Sequence, residues 1–172
     1  MRLASMLAGI AALAVSTAAF AAPVSIAPVS FSDELQREIA EDYGAREGEY
    51  LQRWVHEALA AALAERGATI AEGAPLTVEV TVVDADPNRP TMEQVRRRPG
   101  LDPMRSISIG GAELRGVLRT RDGHIVSEIE HRRYNHDLRD LSGAESTWTE
   151  ARRAIRRFAA EIADAYAANA AD

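Results

Sequence analysis

The sequence contains no cysteine among its 172 residues. This absence excludes disulfide bonds, thiolate metal sites, a cysteine nucleophile and the thiol that carries a bacterial lipid anchor. Lysine is absent as well, so all 20 basic residues are arginine. The chain also lacks a nucleophile-elbow pattern, a glycine-rich phosphate loop and metal ligands at a productive spacing. The sequence therefore indicates no catalytic residue, no cofactor and no metal site. An enzyme of unrecognised type ranks third, after the two hypotheses that close this section.

Long hydrophobic runs are scarce, with one exception at the N-terminus. Residues 3–18 are almost wholly apolar or small, and Ala19-Phe20-Ala21 places small residues at the two positions that a signal peptidase reads. We therefore expect a signal peptide over residues 1–21, cleaved after Ala21, and a periplasmic mature chain over residues 22–172 with no stable membrane span. The alternative is an uncleaved anchor, because a run of this length nearly spans a bilayer.

Acidic residues are concentrated in the first half of the mature chain. Residues 33–86 hold thirteen acids against four arginines, whereas residues 87–172 hold thirteen acids against fifteen arginines. The net charge of the whole chain is −6. Nucleic-acid binding needs a continuous basic face, so the composition argues against nucleic acid as a partner.

Periodicity predicts two helical regions in the mature chain. Residues 23–31 contain strand formers and two prolines, which restrict this segment to an edge strand or an extended arm. The first helical region follows Ser32 as its N-cap and ends at Gly67. A capping box that starts at Thr147 predicts the last helix.

Alternation of apolar and polar residues predicts the remaining strands. Residues 76–82 form a half-buried strand, and Asp122-Gly123 predicts a tight hairpin between the last two strands. Gly110-Gly111 predicts a β-bulge after the apolar pair Ile107 and Ile109. The order β-α-β-β-β-α predicts a single α+β domain over residues 22–172. Its architecture is a two-layer sandwich with a mostly antiparallel, three- to four-stranded sheet and two helices on one face.

The connection over residues 84–106 is much longer than the usual connection of about 4–6 residues. It is rich in proline and arginine, and Thr91 is expected to cap a short helical turn within it. Prolines lower the entropy cost of ordering a loop on a partner, and guanidinium groups suit carboxylate or phosphate. The loop therefore predicts docking of an acidic envelope protein or an anionic envelope glycolipid, and the alternative is a solvated loop whose arginines pair with the acidic first helix. The candidate partner-binding residues are Arg89, Arg96, Arg97, Arg98 and Arg105.

Two pairs of polar residues have side chains that are suited to chemistry. Asp84 and Asp86 suit a divalent cation, but the other ligands of a calcium loop are missing, and turn-forming acids before Pro87 are the favoured interpretation. His136-Asp137 suits a base and its orienting carboxylate. Surface or interface histidines are favoured, and the spacing of five from His131 puts the two histidines on opposite faces of a strand.

Several features, taken in chain order, resemble a known group of domains. They are the export signal, the segment Val24-Ser25-Ile26-Ala27-Pro28-Val29, the segment Ser106-Ile107-Ser108-Ile109-Gly110-Gly111-Ala112 and the Asp122-Gly123 hairpin. This pattern resembles small uncharacterised bacterial envelope domains, similar to the transport-auxiliary and outer-membrane-assembly lipoprotein domains with a β-α-β-β-β-α sandwich. The resemblance implies an accessory or assembly factor and carries no catalytic residues. The chain departs from those lipoproteins in lacking the anchoring cysteine.

These observations lead to a first hypothesis, a periplasmic accessory protein that binds another envelope component through the 84–106 loop. A second hypothesis is a carrier of a small apolar or amphiphilic ligand between sheet and helices. The oligomeric state is open, since the edge segment 23–31 is available for pairing with a partner chain.

Overall fold

The computed structural model describes residues 23–135 and 146–170. The predicted signal peptide over residues 1–21, its cleavage site after Ala21 and the pair His136-Asp137 lie outside the described residues. Across the described part of the chain, no helix combines the length and the apolar character that crossing a bilayer requires.

A mixed sheet of five strands forms one layer of the fold. The strands are β1 (Val24–Ile26), β2 (Ser30–Phe31), β3 (Leu76–Asp86), β4 (Gly111–Thr120) and β5 (Ile125–Tyr134). β3, β4 and β5 form an antiparallel meander, whereas β1 and β2 pair in parallel with successive parts of β3. The edge segment 23–31 is therefore two short strands, because Pro28 cannot donate a ladder hydrogen bond between them.

Four helices and one π-helical turn complete the fold. They are α1 (Asp33–Glu38), the π-helical turn (Ile39–Tyr43), α2 (Ala45–Glu65), α3 (Met92–Arg97) and α4 (Thr149–Ala170). Ser32 caps α1 by accepting the Leu35 N–H at 3.1 Å, and Gly67 follows α2 with φ of +80°. Both predicted ends of the first helical region are confirmed.

The core lies between the sheet and the two long helices. α2 packs beside α4, and α4 lies against β4 and β5. A side chain is excluded at Gly116 of β4, because a Cβ there would lie 2.5 Å from Ile162 Cδ1 and 2.7 Å from Phe158 Cζ. The predicted α+β class, with helices packed on a largely antiparallel sheet, is confirmed.

A β-bulge in β3 determines which side chains face the loop region. The register with β4 shifts between Val82 and Asp84, so Val82 and Ala85 are both buried although their positions differ in parity. Asp84 pairs with Glu113 in the register, so it points to the opposite face of the sheet from the buried Ala85. The bulge predicted at Gly110-Gly111 is wrong.

The apolar side chains lie at odd positions before Gly110-Gly111 and at even positions after it, which suggested the bulge. This change of parity has another origin. β4 begins at Gly111, so Ile107 and Ile109 precede the strand and lie outside the sheet. Their side chains are 45% and 42% exposed. The apparent change of parity is thus the boundary between a loop and a strand.

Candidate functional site

The long connection predicted over residues 84–106 runs from the end of β3 to the start of β4 and contains α3. Thr91 Oγ1 accepts the Gln94 N–H at 3.2 Å, and Gln94 Oε1 accepts the Thr91 N–H at 3.0 Å. This reciprocal pair is a capping box, which confirms the predicted turn capped by Thr91. Gln94 Nε2 also donates to Asp42 Oδ2 at 2.6 Å, so α3 is attached to the π-helical turn.

Two of the five candidate arginines bind acceptors in the π-helical turn. Arg98 Nη2 donates to Asp42 Oδ1 at 2.6 Å, and Arg97 Nη1 donates to the Glu41 carbonyl oxygen. Both arginines stay partly exposed, with 58% and 49% of their side chains accessible. These contacts correspond to the alternative stated above, in which the arginines pair with the acidic first helical region.

The other three candidate arginines lie farther along the same loop surface. Arg96 pairs with Glu93 inside α3 and is 72% exposed, and Arg89 Nη1 donates to the Met104 carbonyl oxygen. Arg105 is exposed, and its backbone N–H donates to Asp102 Oδ1 at 2.9 Å. The loop is therefore folded upon itself through its own polar groups.

Asn88 connects this loop to the last helix, a role that the sequence reasoning missed. The residue is completely buried, and its Oδ1 accepts the Glu150 N–H in the first turn of α4 at 2.8 Å. Its backbone N–H donates to the Thr147 carbonyl oxygen at 2.6 Å, and its carbonyl oxygen accepts the Ser108 N–H at 2.9 Å. Asn88 thus holds both ends of the connection and the N-terminus of α4 in one place. A Cβ at Gly110 would lie 2.5 Å from its side chain, so the local packing requires a glycine there.

A pocket of about 340 Å³ opens between the loop and the π-helical turn. We call it the loop pocket. Leu101, Ile107 and Ile109 supply apolar wall, while Tyr43, Asp86 and Arg98 supply polar groups. Concave sites with an apolar wall and few polar groups are typical of ligand and peptide binding.

Exposed apolar side chains are concentrated around this pocket. Six large hydrophobic residues are exposed among those the structure describes, and four of them belong to the connection between β3 and β4. They are Met92, Met104, Ile107 and Ile109. The Ile-Ser alternation beside Gly110 is typical of a strand, whereas these residues belong to the loop, since β4 begins at Gly111.

Three carboxylates and two tyrosines gather where β3 reaches the loop pocket. The Tyr134 hydroxyl donates to Asp84 Oδ2, and the Tyr43 hydroxyl donates to Asp86 Oδ1 at 3.5 Å. Burial, together with the charge of Asp84, raises the pKa of the Asp86 carboxyl and that of the Glu38 carboxyl. Burial also raises the pKa of both tyrosine hydroxyls well above the usual range. These hydroxyls are therefore neutral hydrogen-bond donors at physiological pH.

The candidate cation pair Asp84 and Asp86 is thus engaged by tyrosines. No group of three histidine, aspartate or glutamate side chains within residues 23–135 and 146–170 has the geometry to hold a metal ion. His131 lies on β5, with Nδ1 at 3.1 Å from the Glu161 carboxylate of α4. What the site offers chemically is hydrogen bonding and apolar burial.

Three solved structures show a likeness of fold at low identity. A PelC dodecamer from Paraburkholderia phytofirmans aligns with a TM-score of 0.46 and 11% identity, over 84% of this chain and 86% of that chain. A minor lipoprotein from Acinetobacter baumannii aligns with a TM-score of 0.39 and 13% identity, over 87% and 94%. A DUF330 protein from Xanthomonas campestris aligns with a TM-score of 0.46 and 11% identity, over 83% and 82%.

Sequence comparison gives a family assignment. No curated protein matches this chain. A family model described as protein of unknown function DUF3313 matches residues 14–162, which include every strand and most of α4. The chain therefore belongs to the DUF3313 family.

Proposed function

We propose that this protein is an accessory component of the bacterial cell envelope that binds another envelope protein at the loop pocket. The observation that carries the proposal is the exposure of Ile107 and Ile109, 45% and 42%, on the wall of a pocket of about 340 Å³. An apolar side chain of a partner would bury both isoleucines and fill the pocket. The envelope location rests on the signal-peptide pattern of residues 1–21.

The internal contacts of the loop support binding with little loss of conformational freedom. Asn88 ties both ends of the connection to α4, and Arg98 ties α3 to Asp42. A loop that is ordered before binding loses less entropy when a partner docks. This pre-organisation favours specific recognition of a short segment.

The charges in the pocket favour a protein over an anionic glycolipid. Asp42 and Asp86 both line the pocket, and the guanidinium of Arg98 is already paired with Asp42. A phosphate in the pocket would meet the carboxylate of Asp86, and the arginine that lines the pocket with it, Arg98, is already paired. A peptide offers N–H donors to these carboxylates together with an apolar side chain.

The five candidate arginines then have two different roles in the proposal. Arg97 and Arg98 hold α3 against the π-helical turn and so shape the pocket. Arg89, Arg96 and Arg105 lie elsewhere on the same loop, where they supply donors to an acidic partner surface.

Packing of the core disfavours the carrier hypothesis. That hypothesis places a ligand between sheet and helices, where Phe158 and Ile162 approach β4 so closely that Gly116 has no room for a Cβ. A ligand there would have to displace close-packed side chains.

Site-specific photo-crosslinking in cells tests the proposal. A photoreactive amino acid at position 107 is expected to form an adduct with one envelope protein, whereas the same probe at position 125 is expected to form none. Ile125 is a suitable control because it is exposed to 55% at the far hairpin. A glycolipid adduct at position 107, or equal adducts at both positions, would contradict the proposal.

Matched substitutions then separate the apolar and the charged contributions. Ile107→Ser with Ile109→Ser should abolish capture of the crosslinked protein, and Ile70→Ser with Ile125→Ser, at exposures of 40% and 55%, should preserve it. Serine at Arg96, Arg97 and Arg98 should weaken capture, because the pocket wall loses its attachment.

The same triple variant should leave thermal stability almost unchanged, since exposed ion pairs contribute less than about 1 kcal/mol each. Serine at three ion-paired arginines of the sheet face is the charge-matched control; these residues are Arg115, Arg119 and Arg132. Equal loss of capture in the control would show that net charge alone governs binding.

A further inference from the structure

A second surface, on the outer side of α2 and α4, combines aromatic rings with arginines. Tyr50 and Trp54 of α2 are stacked, with ring centroids 5.8 Å apart. Arg53 lies 4.9 Å from the Tyr50 centroid, and Arg152 of α4 lies 5.0 Å from the Trp54 centroid. We call this surface the aromatic–arginine face; its members are Arg46, Tyr50, Arg53, Trp54, Arg152 and Arg156.

The spacing of these residues explains why they share one surface. Positions 46, 50, 53 and 54 are three, four and eight residues apart on α2, which places them on one side of a helix. Positions 152 and 156 are one turn apart on α4, and the contact of Arg152 with Trp54 joins the two helices. A helix of about 20 residues is roughly 30 Å long, so the two helices present an elongated face.

Three arginines of this face form no ion pair with a carboxylate of the described residues: Arg46, Arg152 and Arg156. Arg46 and Arg152 lie over aromatic rings instead. Arg53 pairs with Glu57, at a distance of 3.7 Å between Nε and Oε1. The face therefore carries an excess of positive charge on a chain whose net charge is −6.

A small notch lies within this face. Its volume is about 200 Å³, and Trp54, Ile155, Arg152 and Arg156 line it together with Glu57 and Ala58. Two guanidinium groups beside an indole ring offer donors for a phosphate and an apolar surface for the adjoining chain.

We propose that the aromatic–arginine face binds the surface of an anionic lipid bilayer. Guanidinium groups are bidentate donors to lipid phosphates, and tryptophan and tyrosine are enriched at the boundary between headgroups and acyl chains. A bilayer is contacted from one side, so the acidic remainder of the chain stays away from it. A long nucleic acid would meet that acidic remainder, which is why the lipid surface is favoured over a polyanionic chain.

This surface is distinct from the loop pocket and does not depend on the function proposed above. The face is built by α2 and α4, whereas the pocket is built by the loop and the π-helical turn. Arg152 and Arg156 do not line the loop pocket, and Ile107 and Ile109 do not line the notch, so variants at these positions test the two proposals separately.

Sedimentation with vesicles tests the inference directly. The protein purified from cells is mixed with vesicles of equimolar phosphatidylglycerol and phosphatidylcholine, or of phosphatidylcholine alone. Binding is expected for the anionic vesicles and not for the neutral ones. Arg152→Gln with Arg156→Gln is expected to weaken this binding roughly 25-fold, since each arginine near an anionic surface contributes about fivefold.

The matched control removes the same charge from another surface. Arg115→Gln with Arg132→Gln changes two arginines that are 55% and 74% exposed on the sheet face. Those charges lie away from the bilayer in the proposed orientation and are screened beyond about 8 Å at physiological salt, so the control should bind like the unchanged protein. Equal weakening in both variants would overturn the proposal.

Tryptophan fluorescence gives a second readout that a charge effect alone does not produce. Trp148 is 1% exposed, so a blue shift on addition of anionic vesicles reports Trp54 entering the interface. No shift, or a shift of the same size with neutral vesicles, would contradict the inference. Binding of a DNA oligonucleotide in place of vesicles, lost in Arg152→Gln with Arg156→Gln, would assign the face to nucleic acid and overturn the lipid proposal.

Discussion

The two densest groups of arginines in this protein have different surroundings. In the loop, Arg97 and Arg98 donate to oxygens of the π-helical turn. On α4, Arg152 lies over the Trp54 ring, and Arg156 forms no ion pair with the residues the structure describes. A run of like charge in a sequence therefore does not identify a binding surface; the availability of acceptors within the same chain decides whether the charges remain open to a partner.

The uneven distribution of charge explains the difference. Residues 33–86 carry the acidic excess, and the π-helical turn with Glu41 and Asp42 lies next to α3. The loop arginines thus meet carboxylate and carbonyl oxygens across a short gap. The outer side of α4 faces the aromatic stripe of α2 instead.

One tryptophan lies near each of the two arginine groups. Their substitution is expected to give the largest effect, a change in the free energy of unfolding. Trp148 is buried, contacts Tyr43 edge-on at 5.6 Å between centroids, and donates from Nε1 to Glu47 at 2.7 Å. Trp148→Ala is expected to lower the free energy of unfolding by about 3–5 kcal/mol, because it leaves a large cavity. Trp54→Ala removes a half-buried ring and is expected to cost about 1 kcal/mol. Urea unfolding followed by circular dichroism measures both.

The pair of substitutions also separates stability from binding. Trp54→Ala should reduce sedimentation with anionic vesicles in a protein that is still folded. Equal loss of stability in the two variants would show that both rings belong to one core and would remove the distinction between the regions.

Asn88 gives the next largest effect, since it attaches the loop to the rest of the domain. Asn88→Ala leaves the Glu150 N–H without its acceptor inside a buried helix end, which is expected to cost about 1–3 kcal/mol of unfolding free energy. Asn169→Ala is the control: Asn169 is exposed, and its side chain donates to the Ala165 carbonyl oxygen of the same helix at 2.8 Å. A change within about 0.5 kcal/mol is expected there.

Asn88→Ala should also affect binding at the loop pocket but not at the aromatic–arginine face. Asn88→Ala is expected to reduce crosslinking from position 107, since the lost side chain donates from Nδ2 to the Ser108 carbonyl oxygen at 3.5 Å and accepts the Glu150 N–H. Vesicle binding should stay unchanged. Unchanged stability together with unchanged crosslinking would show that the loop is ordered without this junction.

Local signals predicted much of the fold, because the groups that satisfy them are close in sequence. The Thr91 capping box and the Asp122-Gly123 hairpin involve residues within four positions of one another, and both are confirmed. The alternation in residues 76–82 predicted most of β3. The bulge at Val83 carries no such signal, since it arises from the register between two strands.

The site was less predictable, because its contacts are distant in sequence. The acceptor of Arg98 is 56 residues away, and Asn88 caps a helix that begins 61 positions later. The sequence therefore located the unusual loop and its arginines, but it did not indicate which of them are paired. Stacking of Arg152 on Trp54 likewise depends on two helices that only the tertiary fold brings together.

The smallest expected effect is on the pH dependence of stability, which involves Glu38 near the loop pocket. Burial, and then the charge of Asp84, raises the pKa of Glu38 above its ordinary value of 4.5. The folded protein therefore keeps this proton to a higher pH than the unfolded chain does, so stability falls as the pH rises from about 4.5 through the folded-state pKa. Glu38→Gln removes that loss and should increase the free energy of unfolding at pH 7, with a gain that disappears near pH 4.

The matched substitution lies on the helix face. Glu57→Gln removes an exposed carboxylate whose Oε1 lies 3.7 Å from Arg53 Nε one helical turn away. Such pairs contribute about 0.2–0.5 kcal/mol, so the free energy of unfolding at pH 7 should fall by about that amount. Opposite signs for the two glutamates are thus expected from urea unfolding at pH 7. A loss of stability in Glu38→Gln would mean that a second hydrogen bond of the Tyr43 hydroxyl, to the Glu38 carboxylate, outweighs the burial of the charge.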